Sequence, residues 1–237
     1  MQKIEILDNI LMSNNVVENF ESGMDNLEFA NWLTSILPEL EDCARLKQDN
    51  PWHIYNCLEH ILKSVEEINK QTGNLPENDK RLLAYAMFYH DMGKPATHIR
   101  RYAKAYNREV DSFFNHNIKS VEIVRRTADN FGFNDEEKKQ IEKLVLDHDI
   151  FMFITDDKTS NPHHKQLTNA LIMGHIDDLA NFGDGKKLMR YLIMIGRADN
   201  KAQNPAMTAK SLRMLDKMEA MTTKLDYSPA GKQSEQS

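Results

Sequence analysis

Phe88-Tyr89-His90-Asp91-Met92-Gly93-Lys94-Pro95 is the stretch from which the rest of the chain is read. Before it, Leu82, Leu83, Ala86 and Met87 recur at helical spacing, and His90 continues that apolar face one turn beyond Ala86 and Met87. An imidazole and a carboxylate delivered together from such a face need a partner, because unpaired buried polar groups are costly. A metal ion suits both. The bland alternative is a helix C-terminus, with His90 in the last turn and Gly93 just past it.

The totals bound the answer. A length of 237 residues fits one domain, or one domain with tails. With 41% hydrophobic and 28% charged residues, the composition is that of a globular protein. A net charge of −6 argues against a broad basic surface for long nucleic acid. There is no apolar run of membrane-spanning length, and Met1-Gln2-Lys3-Ile4-Glu5 lacks the blocks of a signal peptide. Cys43 and Cys57 form no C-x-x-C pair and read as small apolar side chains of a reducing compartment. A cytoplasmic location with no membrane partner is expected.

The pattern is helical nearly throughout, with no period-2 segment and no Asn-Gly or Asp-Gly hairpin. It divides into an N-terminal helical extension (1–24), one main domain (25–224) and a disordered tail (225–237). Ile4, Leu7, Ile10 and Leu11 suggest a weak helix over 3–20, and Asp25/Asn26 open another that ends before Pro38. Asn50-Pro51 reads as a helix start, giving one helix to about Lys70. On such a helix His53 and His60 lie two turns apart, on the order of 10 Å, too far to share an ion. His60 is therefore favoured as a ligand, and His53 is left a supporting or substrate-facing place.

After Gly93-Lys94-Pro95 the period is lost and His98, Arg100, Arg101, Lys104 and Arg108 follow within eleven residues. Beside a metal site such a cluster suggests an anionic substrate, and otherwise a solvated loop with ordinary charges. His116 falls near the first turn of a helix that closes at Phe131-Gly132. Asn134 to Glu137 is a capping box that opens the helix carrying His148 on the stripe of Ile141, Leu144 and Val145. Asp147 and Asp149 flank that ring and can orient it. His163 and His164 in the polar loop 156–165 read as surface histidines, and His175 as packing. Leu188, Leu192, Ile195 and Asp199 form one stripe that ends in a carboxylate, the least expected member of a buried face.

Taken in order, His60, His90-Asp91, further histidines and a late Asp199 resemble the signature of the HD superfamily of metal-dependent phosphohydrolases. Leu37-Pro38-Glu39-Leu40, Asn50 to Tyr55, Glu59-His60, His90 to Thr97, Phe114-Asn115-His116 and Arg197-Ala198-Asp199 are similar to the HD region of bacterial tRNA nucleotidyltransferases, over roughly residues 35–205. The catalytic head of those enzymes, with its Gly-Ser and paired-aspartate motif, has no counterpart here, so the likeness carries only the HD module.

The resemblance implies an all-α helical bundle, the HD domain spanning 25–224, with the metal site in its core. It implies one metal held by His60, His90, Asp91 and Asp199, and a second, bridged by Asp91, held by His116 and His148. Imidazole and carboxylate together suit one or two divalent ions, Mn, Ni, Co, Zn, Mg or Fe. Asp91 and Lys94 are the candidate catalytic residues. Lys94, Thr97, His98, Arg100, Arg101 and His53 are the candidate substrate contacts, placed to hold phosphate oxygens. The expected activity is phosphatase or phosphodiesterase chemistry, through a metal-activated water, on a nucleotide, cyclic nucleotide or other small phosphate ester, with an RNA end as a further possible partner. The alternatives are an HD-fold mixed-valent di-iron oxygenase and a non-catalytic nucleotide-binding regulatory module, and the oligomeric state stays open.

Overall fold

The computed structural model describes residues 2–156 and 164–227, and it is mostly helical, as the periodicity predicts. In chain order the helices are α1 (Lys3–Leu11), α2 (Val16–Met24), α3 (Leu27–Ile36), α4 (Glu39–Arg45), α5 (Cys57–Asn69), α6 (Glu77–Tyr89) and the single turn α7 (Lys94–Thr97). A two-stranded antiparallel hairpin, β1 (Ile99–Ala103) and β2 (Arg108–Ser112), follows. Then come α8 (His116–Thr127), α9 (Asp135–Asp147), the short parallel pair β3 (Ile154–Thr155) and β4 (Lys165–Gln166), α10 (Asn169–Leu179), α11 (Gly185–Lys201) and α12 (Pro205–Lys224).

Helix α6 is the axis. Every residue from Leu82 to Tyr89 is at most 3% exposed, so this helix is buried all round and not on one face only. That is the signature of a core helix. It packs against α1, α5, α8, α9 and α11. Its two polar tips are satisfied: the Tyr85 hydroxyl donates to Asp8 at 2.7 Å, and Tyr89 and Thr127 share a hydrogen bond of the same length. Leu7, Leu11, Val16 and Phe20 belong to the same core, so the expected N-terminal extension is part of the main packing unit.

The helix-start signals work as chemistry requires. Asn26, Asn56, Asn134 and Asp184 each accept a backbone N–H of the first turn that follows. Elsewhere local competition overrides the pattern. The expected helix over 3–20 breaks at Met12 to Asn15 into α1 and α2. Asn50 accepts the Trp52 N–H and closes a turn instead of opening a helix, so α5 starts only at Cys57. The hairpin was not legible because its loop turns through a left-handed Asn107 (φ 51°) with no Asn-Gly or Asp-Gly pair. Of the expected disordered tail, residues 228–237 lie outside the described residues, while Leu225 and Tyr227 pack on the core. Residues 157–163 of the polar loop, His163 included, also lie outside them; His164 is exposed and His175 half-buried.

Two helical hairpins set the site. In α5–α6 and α8–α9 the chain reverses through short links, so the N-terminus of each first helix meets the C-terminus of the second. The turn after α6 is held against α8 at Gly93. A Cβ there would stand 2.2 Å from the His116 carbonyl oxygen and 2.6 Å from the Ser120 nitrogen. Gly93→Ala is therefore expected to push α8 off the turn, at a cost on the order of 1–3 kcal/mol. Urea unfolding of the purified variant reads that loss directly, and an unchanged midpoint would contradict the close approach.

Candidate metal centre

Six side chains converge at one end of the bundle because each lies near a helix terminus. His60 sits in the first turn of α5, His90 caps the C-terminus of α6, His116 opens α8, His148 caps α9, and Asp199 lies near the end of α11. His60, His90, Asp91 and Asp199 form one group of potential ligand atoms within 4.8 Å of one another, and Asp91, His116 and His148 form a second. Asp91 belongs to both. Its Oδ2 is 3.1 Å from His60 Nε2 and 3.2 Å from His90 Nε2, while its Oδ1 is 3.1 Å from His116 Nε2 and 3.8 Å from His148 Nε2. Asp199 Oδ1 stands 3.0 Å from His60 Nε2.

The tautomers follow from the partners. Nδ1 of His90, His116 and His148 lies 2.6–2.8 Å from the backbone carbonyl three residues earlier, at Met87, Phe113 and Val145. His60 Nδ1 meets the Ala202 carbonyl at 3.2 Å. A carbonyl can only accept, so all four rings carry a proton on Nδ1 and turn Nε2 inward. His60 and His90 then face each other across 3.4 Å, and His116 and His148 across 3.1 Å. Lone pairs opposed at that distance, with two carboxylates among them, call for cations. Asp91 Oδ2 gives the same answer: it is buried, and among the described residues no donor meets it with hydrogen-bond geometry, although the Lys94 ammonium stands 2.5 Å away. The donor set fits divalent metal, with His/Asp composition typical of Mn, Fe, Co, Ni or Zn sites.

Electrostatics agree. Burial would lower the pKa of His90, but the Asp91 and Asp199 carboxylates outweigh it and raise it to about 10, so that without an ion Nε2 gains a second proton at the place a dication would take. Burial would raise Asp91, yet the charges of His90 and Lys94, with the His116 and His60 rings close by, hold it well below the usual carboxylate range. Asp199 is held down in the same way by His60 and His90. Burial draws His148 down to about 4, which keeps it a neutral ligand. His53 is also held low, by burial and then by the Lys94 charge.

The remaining candidates divide. His53 lies beside the centre after all, its ring 5.0 Å from that of His60, because the bend before α5 removes the two-turn separation. Lys94 is 5% exposed and engages Asp91, Gln48 and His53. Of the expected substrate contacts, Thr97, His98, Arg100 and Arg101 each engage protein partners. The Thr97 hydroxyl donates to the Gly93 and Lys94 carbonyls, and Arg101 donates to Ser112 and lies over Phe114. His98 and Arg100 pair with Asp111, and Arg100 also with Asp49. Both line a groove of about 1150 Å³ that none of the six converging residues lines. The orienting role expected of Asp147 is likewise replaced, since Asp147 pairs with Lys143 and the Val145 carbonyl holds the His148 ring.

Sequence reading missed Gln48, Ser120 and Gln203. Ser120 accepts the Gly93 N–H at 2.9 Å and donates to the His90 carbonyl at 2.8 Å, tying the turn to α8. Gln203 donates to Asp199 Oδ1 at 3.0 Å, a partner readable in hindsight from i, i+4 spacing. Gln48, between Lys47 and Asp49, gives no signal in the sequence.

A family model described as HD domain matches residues 53–182, more than half of the chain. The matched span holds five of the six converging residues, and Asp199 joins them from outside it. No curated protein sequence matches the chain.

Because Asp91 alone serves both groups, Asp91→Ala is expected to lose both ions, whereas His148→Ala should fall from about two ions to about one. Plasma mass spectrometry on protein dialysed against Mn or Zn, with folding checked by circular dichroism, measures this. Equal losses in the two variants would refute the bridging role.

Proposed function

This chain belongs to the HD domain family, and from that premise we propose that it is a metal-dependent phosphohydrolase acting on a small phosphate ester of the nucleotide class. The single observation behind the reading is the Asp91 carboxylate, which addresses two separate sets of inward imidazole lone pairs. Divalent ions held there would supply Lewis acidity toward a phosphoryl oxygen and a water made acidic enough to attack near neutral pH.

What the chain's own residues do follows from their contacts. His60, His90, Asp91 and Asp199 would hold one ion, and Asp91, His116 and His148 the other. The four backbone carbonyls fix the rings so that no reorganisation is needed when charge develops on the substrate. Lys94 keeps a buried positive charge against Asp91. Exposed aromatic faces at Trp52, next to His53, and at Phe114, two residues before His116, offer stacking surfaces for a base. They support a free nucleotide or the end of an RNA as the substrate, and the same centre accommodates either phosphatase or phosphodiesterase chemistry. A cytoplasmic setting accords with the absence of any described helix long and apolar enough to cross a membrane.

The test is a panel of nucleoside monophosphates, cyclic nucleotides and short RNAs with terminal phosphates, run with Mn, Ni, Co, Zn or Mg after chelator treatment. Turnover should appear only with added metal, and Asp91→Ala should lower kcat/KM by about 10³-fold or more, a loss of about 4 kcal/mol in transition-state stabilisation. Two bound irons with oxygen uptake and no ester cleavage would transfer the protein to oxygenase chemistry.

A further inference from the structure

We propose that Gln48 and His53 are positioning residues for Lys94, and that Lys94 serves the Asp91 carboxylate and not the substrate. An ammonium has three protons and accepts nothing. Around Lys94 Nζ stand the ion-pair partner Asp91 Oδ2 at 2.5 Å and two hydrogen-bond acceptors, Gln48 Oε1 at 2.8 Å and His53 Nε2 at 3.4 Å. The Phe113 ring, its centroid 5.4 Å away, flanks the same cation, and the residue is only 5% exposed. Ion-paired to Asp91 and hydrogen-bonded to Gln48 and His53, the buried cation is committed to protein partners on three sides.

The two neutral acceptors are themselves fixed. Gln48 is 5% exposed, and its amide nitrogen donates to the Tyr55 carbonyl at 3.4 Å, which turns its oxygen toward Lys94. His53 packs edge-on against His60. Because His53 Nε2 accepts from the ammonium, the ring proton sits on Nδ1, where it meets no acceptor among the described residues. A neutral amide and a neutral imidazole hold the ammonium without cancelling its charge. The full charge stays on the one oxygen of Asp91 that also faces His60 and His90. Carboxylates in their places would have competed with Asp91 for the cation.

Nitrogen-15 NMR of the zinc-loaded protein tests the arrangement without turnover, with the His53 signals assigned by their loss in His53→Gln. The expected result is a neutral ring protonated at Nδ1, whose Nε2 resonance shifts in Lys94→Met. A proton on Nε2, or no response to Lys94→Met, would overturn the proposal. The kinetic arm rests on the hydrolase reading. Lys94→Met, Gln48→Leu and His53→Ala should each lower kcat by about 10²-fold through misplacement, with inhibition by inorganic phosphate unchanged. His53→Gln, whose amide oxygen can stand where Nε2 accepts, should recover most of the rate. Loss of phosphate inhibition in Lys94→Met would show direct substrate contact and overturn the proposal. If the wild-type protein cleaves no phosphate ester, the hydrolase reading fails and the NMR result alone decides the positioning role.

Discussion

A carboxylate at 2% exposure with four imidazole nitrogens turned toward it is the constraint on which the structure depends. Taking the Asp91 charge out of water is expensive unless positive charge meets it at close range. Lys94 supplies one such charge from the same turn, three residues on. The opposed Nε2 lone pairs still need cations of their own. The helix ends, the carbonyl locks and the glycine contact can all be understood as ways of keeping these groups together.

Those locks differ in reach. His90, His116 and His148 are each fixed by a carbonyl of their own helix, three residues back, so each helix terminus sets its ligand locally. His60 leans on the Ala202 carbonyl, which belongs to the far end of α11. The group of His60, His90, Asp91 and Asp199 therefore exists only when α5 and α11 are packed together, while that of Asp91, His116 and His148 draws on the local α8–α9 hairpin. Any ion held there would couple to folding through such long-range contacts. Thiol donors add to the same frame: buried Cys57 and Cys43 point their sulfurs at the carbonyls of Asp91 and Met92.

Charge is partitioned across the molecule. At the centre it is concentrated in groups that are almost fully buried. On the hairpin, Arg100 and Arg108 meet Asp49 and Asp111, mostly in half-exposed pairs that are worth little individually. A run of arginines in sequence is thus no guide to the local field once its acids are counted, and Asp49 comes from fifty residues upstream.

The sequence by itself determined the helical class, the helix starts at Asn26 and Asn134, and the six polar residues whose types and order suggest a metal centre. It could do so because capping and helical periodicity are local, and because a histidine or aspartate on an apolar stripe is conspicuous without any knowledge of what faces it. Only the tertiary structure decided that α6 is buried on every side, that His53 folds back against His60, that the basic stretch is a hairpin whose Arg100 and Arg108 meet Asp49 and Asp111, and that Gln48 and Ser120 support the site. Each of these rests on a partner distant in sequence, or on a turn whose residues carry no strong preference. Such contacts come from packing, and periodicity is blind to them.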